Sequence, residues 1–250
     1  VSPTVAVVTG AAGGIGAATA HALAETGHRV HGIDLAWPRP PADDRIRACT
    51  VDVSDPDAVG RFFAELDDDL ARDGAQLRVL ANVAGTVLVK PFLDTTWEDY
   101  RGVIDVNLGG TLLCCRHAAA RMPAGSAIVN VASISGHIGQ TQHAVYAASK
   151  GSILALCRAL AWEFAPMGIR VNSVSPGSVD TAMLRSDIDV EARRLGRSFD
   201  EVKAEREAEQ SLGRWADPGE IASAIVFLAG GGATYVNGTD LLVDSGWVAR

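Results

Sequence analysis

Tyr146 and Lys150 stand four residues apart in Tyr146-Ala147-Ala148-Ser149-Lys150, and Ser133 precedes the tyrosine by thirteen residues. The run from about Ala144 to Phe164 predicts a helix. Residues four apart share a helix face one turn apart, which puts the phenol and the ammonium on the same side. A tyrosine titrates near about 10 in water, and a neighbouring positive charge stabilises the phenolate and lowers that value. With a serine hydroxyl alongside, these groups suit proton transfer at the oxygen of a carbonyl/alcohol couple. The bare pair also fits an aromatic packed beside a surface lysine, so the surrounding elements must decide.

Those elements alternate. Val5-Ala6-Val7-Val8 is an apolar run too short for a helix and suited to a strand buried on both faces. It leads into Thr9-Gly10-Ala11-Ala12-Gly13-Gly14-Ile15-Gly16, and an amphipathic stretch follows from Ile15 to Thr26, with Gly27 as its C-cap candidate. Strand, glycine-rich turn and helix form the context of a dinucleotide site. Gly10 permits the tight turn, Gly14 and Gly16 let backbone approach a pyrophosphate, and the helix N-terminus faces its charge. Arg29 to Leu35 predicts a second strand carrying Asp34 at its end, 24 residues beyond Gly10. A carboxylate about 20 residues on is the expected partner of the ribose hydroxyls of NAD, and it repels the 2′-phosphate of NADP. Neither usual phosphate clamp is evident: the turn carries Gly13, Leu35 follows Asp34, and Arg39 lies in a proline-rich loop. The alternative for Asp34 is an ordinary acid at a strand-end turn.

A third strand is expected from Arg45 to Val51, then the turn Asp52-Val53-Ser54-Asp55-Pro56, with Ser54 or Asp55 capping a helix from Pro56 to about Asp73. Leu77 to Ala81 predicts the fourth strand, ending in Asn82-Val83-Ala84-Gly85. Trp97 to about Met122 predicts one long helix with Asn107 in its middle, where a buried amide needs a partner. Ala127 to Ser133 is the fifth strand and delivers Ser133 to its C-terminal end. Ile169 to Val174 is the sixth, running into Ser175-Pro176-Gly177-Ser178-Val179-Asp180-Thr181. A helix over Pro218–Leu228 and a last strand over Thr239–Val243 complete the alternation. The expected fold is α/β: a single-domain, Rossmann-like, doubly wound parallel sheet of about seven strands over residues 1–250, with helices on both faces. Ligands of such a sheet bind at the strand C-termini. The charged segment 183–213 breaks the rhythm and is expected to be a substrate lid.

Composition narrows the function. The chain is 48% hydrophobic and 21% charged, as in a soluble globular protein. Its net charge of −8 argues against a nucleic-acid surface. No apolar run reads as long enough for a bilayer, and the N-terminal residues carry no secretory pattern, so a cytoplasmic location is expected. Four cysteines without a Cys-x-x-Cys pattern read as small buried residues of a reduced protein, with no metal site.

Together these motifs resemble the short-chain dehydrogenase/reductase family along essentially the whole chain. The cofactor turn of that family matches Thr9, Gly10, Gly14 and Gly16; its Asn-x-Ala-Gly matches Asn82, Ala84 and Gly85, with Val83 where a second Asn is usual. Its helix Asn, its Ser and its Tyr-x-x-x-Lys match Asn107, Ser133, Tyr146 and Lys150, and its Pro-Gly-x-x-x-Thr matches Pro176, Gly177 and Thr181. The resemblance implies that Tyr146 is the general acid/base, that Lys150 lowers its pKa and holds the nicotinamide ribose, and that Ser133 binds the substrate oxygen. It implies that Asn107 positions a water linking Lys150 to solvent. Asp34, Asp52 and Val53 then hold the adenosine half of NAD, and Val179 and Thr181 the carboxamide, with Ile15 at the phosphate turn.

The expected activity is NAD-dependent oxidation of a secondary alcohol to a ketone, on a small cyclic diol, polyol or sugar-like substrate. Some likeness extends to bacterial dihydrodiol dehydrogenases, including those making 2,3-dihydroxybenzoate. Gln140 and His143 in the loop before Tyr146, with Met183, are the substrate candidates; the alternative is a solvated loop. The same site equally serves a ketoreductase. A non-catalytic NAD sensor is a third possibility, opposed by the complete Ser-Tyr-Lys-Asn set. The resemblance also implies a homo-oligomer, dimer or tetramer, joined through the Trp97–Met122 and Ala144–Phe164 helices.

Overall fold

The computed structural model describes residues 2–249. Seven strands form one sheet: β1 (Thr4–Thr9), β2 (Arg29–Asp34), β3 (Ile46–Thr50), β4 (Gln76–Asn82), β5 (Ala127–Val131), β6 (Arg170–Pro176) and β7 (Asp240–Val243). Their order is β3-β2-β1-β4-β5-β6-β7, with every neighbouring pair parallel. The chain reverses direction across the sheet between β1 and β4, so the crevice lies above their C-terminal ends.

Alternation along each strand builds two cores. Val5, Val7, Leu77, Leu80 and Ile128 face one side, against Phe62, Phe63 and Leu66 of α2 (Pro56–Asp73) and Ala118 of α4 (Thr111–Ala119). Ala6, Val8, Val79, Ala81 and Val129 face the other, against Leu23 of α1 (Gly14–Glu25) and Ile221, Ile225 and Leu228 of α8 (Pro218–Ala229). The central strands are therefore apolar on both sides, as their continuous runs required. Asp55, rather than Ser54, caps α2: its carboxylate accepts from the Asp57 and Ala58 amides at 2.8 and 3.2 Å.

Two expectations need correction. The expected long helix over 97–122 is not continuous. It is α3 (Trp97–Ile104), a wide π-type turn at Asp105–Gly110, then α4. Asn107 sits in that turn, beside Gly110, whose added Cβ would meet Val53 Cγ2 at 2.8 Å. The charged segment folds as α6 (Ala182–Leu195) and α7 (Phe199–Ala208), which bury Ile188, Ala192, Val202 and Trp215 in a small core of their own. Finally, Ala144–Met167 is long and apolar enough to meet the measure of a membrane-crossing helix. Its first 21 residues are α5 (Ala144–Phe164), which lies on the sheet with Ile153, Cys157 and Ala161 buried.

Candidate active site

The glycine turn after β1 is shaped by contacts that leave no room for side chains. A Cβ on Gly16 would lie 1.9 Å from the Gly10 carbonyl oxygen, so the first turn of α1 sits directly on the turn that feeds it. Gly10 has φ +68°, a left-handed backbone that glycine adopts without strain. Thr9 ties this turn to the neighbouring strand end: its Oγ1 accepts from the Val83 and Ala84 amides, both at 2.9 Å. Asp34, at the end of β2, accepts from the Ala12 amide at 2.9 Å and from the Leu35 amide at 2.7 Å, so the acid braces the phosphate turn as well as bordering it. Gly14 faces Thr181, whose Cγ2 lies 3.0 Å from where a Cβ would be. Thr181 in turn caps α6, its Oγ1 accepting from the Leu184 amide at 3.3 Å.

The other expected cofactor residues lie on this sheet edge in different ways. Asp52 spends one oxygen on its own turn, accepting from the Ser54 amide and hydroxyl at 2.8 and 2.7 Å. Val53 is buried against Gly110. Asn82 is turned into the protein, where its amide donates to Asn130 Oδ1 at 2.9 Å, so its side chain supports the Ala84-Gly85 turn from below. Pro176 ends β6; the Gly177 amide donates to the Val243 carbonyl at 3.0 Å, and buried Val179 bridges to Ala216. Ile15 is half-buried and packs with the α1–α8 core.

Ser133, Tyr146 and Lys150 come together through a backbone contact. Gly136, just beyond Ser133, sits so close to α5 that a Cβ there would be 3.0 Å from the Gly151 nitrogen. Ser133 is within reach of the Tyr146 phenol and acts on it as a hydrogen-bonding neighbour. Its Oγ also accepts from the Ser135 amide at 3.1 Å and donates to Ser135 Oγ at 3.3 Å, and Ser135 passes the chain on to Gln140 Oε1. Lys150 is buried; its Nζ donates to the Val131 carbonyl at 2.8 Å and stands 5.9 Å from the centre of the Tyr146 ring.

The electrostatics differ from the expectation drawn from spacing. Burial pushes the Tyr146 phenol above its ordinary value; the Ser133 hydrogen bond pulls it back, and the Asp187 charge raises it further. Burial also lowers the Lys150 ammonium to about 8. Desolvation disfavours whichever form is charged, and the groups that move the phenol are burial, Ser133 and Asp187 rather than Lys150. The Asn107 side chain is held on both atoms: Oδ1 accepts from the Thr86 amide at 2.8 Å, and Nδ2 donates to the Thr86 carbonyl and Ser149 Oγ, both at 2.9 Å. It clamps the turn after β4 to α5. Gly85 lies between them, its would-be Cβ 3.3 Å from Asn107 Oδ1 and 3.4 Å from Lys150 Nζ.

The description Enoyl-(Acyl carrier protein) reductase matches residues 10–248. Over 98% of its length the chain is 41% identical to cis-4-hydroxycyclohexanecarboxylate dehydrogenase of Sinomonas cyclohexanicum, covering 96% of that protein. The chain belongs to the short-chain dehydrogenase/reductase family. It is also 35% identical, over 98% of its length and 93% of the relative, to D-threitol dehydrogenase of Mycolicibacterium smegmatis. The structure of 4-hydroxyisoleucine dehydrogenase complexed with NADH matches it with a TM-score of 0.83 at 28% identity, over 99% of each chain.

In this short-chain dehydrogenase, the substrate candidates from the loop are near the reacting end. The His143 ring centre lies 6.3 Å from that of Tyr146, and Gln140 ends the hydroxyl chain from Ser133. Met183 is exposed in the first turn of α6. Three residues escaped the sequence reading. Ser135 extends Ser133; Gln142, at φ +65°, gives its carbonyl to the Lys90 amide at 2.8 Å; Asp187 reaches Tyr146 electrostatically from α6. A polar residue two positions after the candidate serine was a readable signal for Ser135. Asp187 had none, because it lies in a segment whose charges look uniformly solvated.

Proposed function

We propose that this chain is an NAD-dependent alcohol dehydrogenase that oxidises a secondary carbinol of a small cyclic diol, polyol or sugar-like substrate to a ketone. The observation that carries the reading is the meeting of Ser133, at the end of β5, with Tyr146 and a buried Lys150 whose Nζ stands 5.9 Å from the phenol ring centre. The glycine cradle at Gly10 and Gly16, with no room for a Cβ at either, fits a dinucleotide, and the open space around Gly13 leaves access to it. Asp34 at the ribose position favours NAD over NADP. The related dehydrogenases named for a hydroxycyclohexane acid and for threitol, and the NADH-bound neighbour, point the same way.

NAD, when bound, takes up the carbinol hydride. Tyr146 accepts the hydroxyl proton, Ser133 holds the same oxygen and steadies its charge as the carbonyl forms, and Lys150 favours the phenolate. A water beside Asn107 and Lys150 returns the proton to solvent. Leu112, Trp162 and Met167 leave apolar surface on the outer side of α4 and at α5 and its end, which supports assembly as a homo-oligomer. The same residues can also run the reaction toward alcohol, as in a ketoreductase; the ratio of oxidative to reductive turnover at neutral pH separates the two. The mechanism is tested by Tyr146→Phe. Turnover should fall at least about a thousandfold, within the range of general acid/base catalysis, while NAD binding followed by fluorescence persists. Retained turnover sinks it.

A further inference from the structure

At the opposite edge of the sheet from the glycine turn lies a cavity of about 710 Å³. Thr4 and Arg170, which open β1 and β6, and Gly125, just before β5, border it, so it sits at the strand N-termini. Arg78 reaches it through an irregularity of β4. Val5 pairs with Leu77 and Ala6 with Val79, which leaves Arg78 as an extra residue in a parallel ladder. Such bulges are rare between parallel strands, and they re-aim a side chain. Gly125 makes room for this one: a Cβ there would stand 3.0 Å from Arg78 Nη2.

The lining carries two guanidinium groups, Arg78 and Arg170, and among the described residues no Asp or Glu, in a chain whose net charge is −8. Both arginines meet carbonyls instead of carboxylates. Arg78 Nη1 donates to the Ala124 carbonyl at 3.0 Å, and Arg170 donates to those of Leu228, Ala229 and Gly230 at 2.6, 3.2 and 3.2 Å. Arg78 thereby spends one of the five donors that a guanidinium carries. Burial holds the Arg170 guanidinium below its ordinary value, with no acid acting against it. His28 also borders the cavity, and its Nδ1 is buried with no hydrogen-bond partner among the described residues. Burial and the Arg78 charge hold its imidazole below its ordinary value. Uncompensated cations and an unsatisfied ring nitrogen each cost stability, and one anion answers all three. A phosphate monoester, with about −1.5 to −2 charges at neutral pH, balances two guanidinium groups better than a carboxylate does. The volume leaves room for an organic substituent, and the exposed Tyr235 ring on the rim offers it a face.

We propose that this cavity is a second anion site, separate from the cofactor cradle, which binds a phosphate group through Arg78, Arg170 and His28. Calorimetric titration with phenyl phosphate, inorganic phosphate and benzoate tests it on the enzyme saturated with NAD, so that the cradle is filled. Phenyl phosphate should bind with a Kd below about 1 mM and more tightly than benzoate. Phenyl phosphate held more tightly than inorganic phosphate assigns the site to an organic monoester; equal affinities assign it to the free ion. Arg78→Gln should weaken binding roughly ten- to a hundredfold, the worth of a hydrogen bond to a charged group. Thr234→Glu places a carboxylate at an exposed position on the rim and should weaken binding at least about threefold; it decides the matter if Arg78→Gln fails to fold. NAD affinity should stay the same in both variants. No saturable binding to the NAD-saturated wild type, an affinity unmoved in either folded variant, or benzoate held as tightly as phenyl phosphate overturns the site and leaves the dehydrogenase reading intact.

Discussion

Replacing Gly16 by alanine tests the cofactor cradle at its tightest point, and Gly13→Ala is its control. An added Cβ at Gly16 falls 1.9 Å from the Gly10 carbonyl oxygen and 2.5 Å from its carbon. Ordinary contact between such atoms is about 3.5 Å, so more than an ångström must open between two stretches of backbone, neither of which has a rotamer to yield. Overpacking costs about 1–3 kcal/mol, and a rigid backbone clash belongs at the upper end. For a chain of this size that corresponds to a Tm lower by roughly 6–12 °C. The same movement takes the α1 amides away from the pyrophosphate, and NAD affinity should drop at least about tenfold. A Cβ at Gly13 meets nothing within 4 Å, and its φ of −163° is ordinary extended backbone. Gly13→Ala should cost less than about 1 kcal/mol, as a weaker helix N-cap, and change NAD affinity by no more than about threefold. Thermal unfolding and NAD titration of both variants decide the matter. Equal damage from the two, or an undisturbed Gly16→Ala, would refute the cradle.

Two further perturbations bear on charge. Asp34→Ala should narrow the preference for NAD over NADP, because a carboxylate about 5 Å from a phosphate charge is repelled by about 3 kcal/mol at an effective dielectric constant of about 20, less after solvent screening. Steady-state kinetics with both cofactors measure it; a wild type that already prefers NADP refutes the role of Asp34. Lys150→Met should alter stability with a defined sign. The folded lysine titrates at about 8, below its unfolded value of about 10.4, so burying its charge is unfavourable at neutral pH and that penalty disappears as pH rises between the two values. The buried Cys114 and Cys157 thiols, pushed up to about 12 and about 11, act in the opposite direction above pH 9. The informative quantity is therefore the difference in Tm between wild type and variant, which should shift in favour of the wild type from pH 7.5 to pH 10. A flat difference would mean that Lys150 is not desolvated.

The parts of this molecule that were legible in the sequence are those where one residue answers one local demand. The apolar run Val5–Val8 needs burial on both faces, and the glycines after it need close backbone approach; neither depends on distant partners. Ser133, Tyr146 and Lys150 were legible for the same reason, as strand-end and helix-face positions. The break at Asn107 was not, because the pattern from Trp97 to Met122 is helical throughout and the turn is set by the Thr86 backbone and Val53, which approach from other elements. The small core of Ile188, Ala192, Val202 and Trp215 was hidden likewise. Four buried residues among many charged ones give a faint helical signal, and only the packing of α6 on α7 brings them together.

Asp187 connects the least legible segment to the most legible one. Its charge raises the pKa of Tyr146, the proposed proton acceptor, and burial acts in the same direction. A site selected for basicity alone would carry a neutral residue there. The opposing contributions are local and specific: the Ser133 hydroxyl acts on the phenol as a hydrogen-bonding neighbour, and Ser133 is itself oriented by Ser135 and, through it, Gln140.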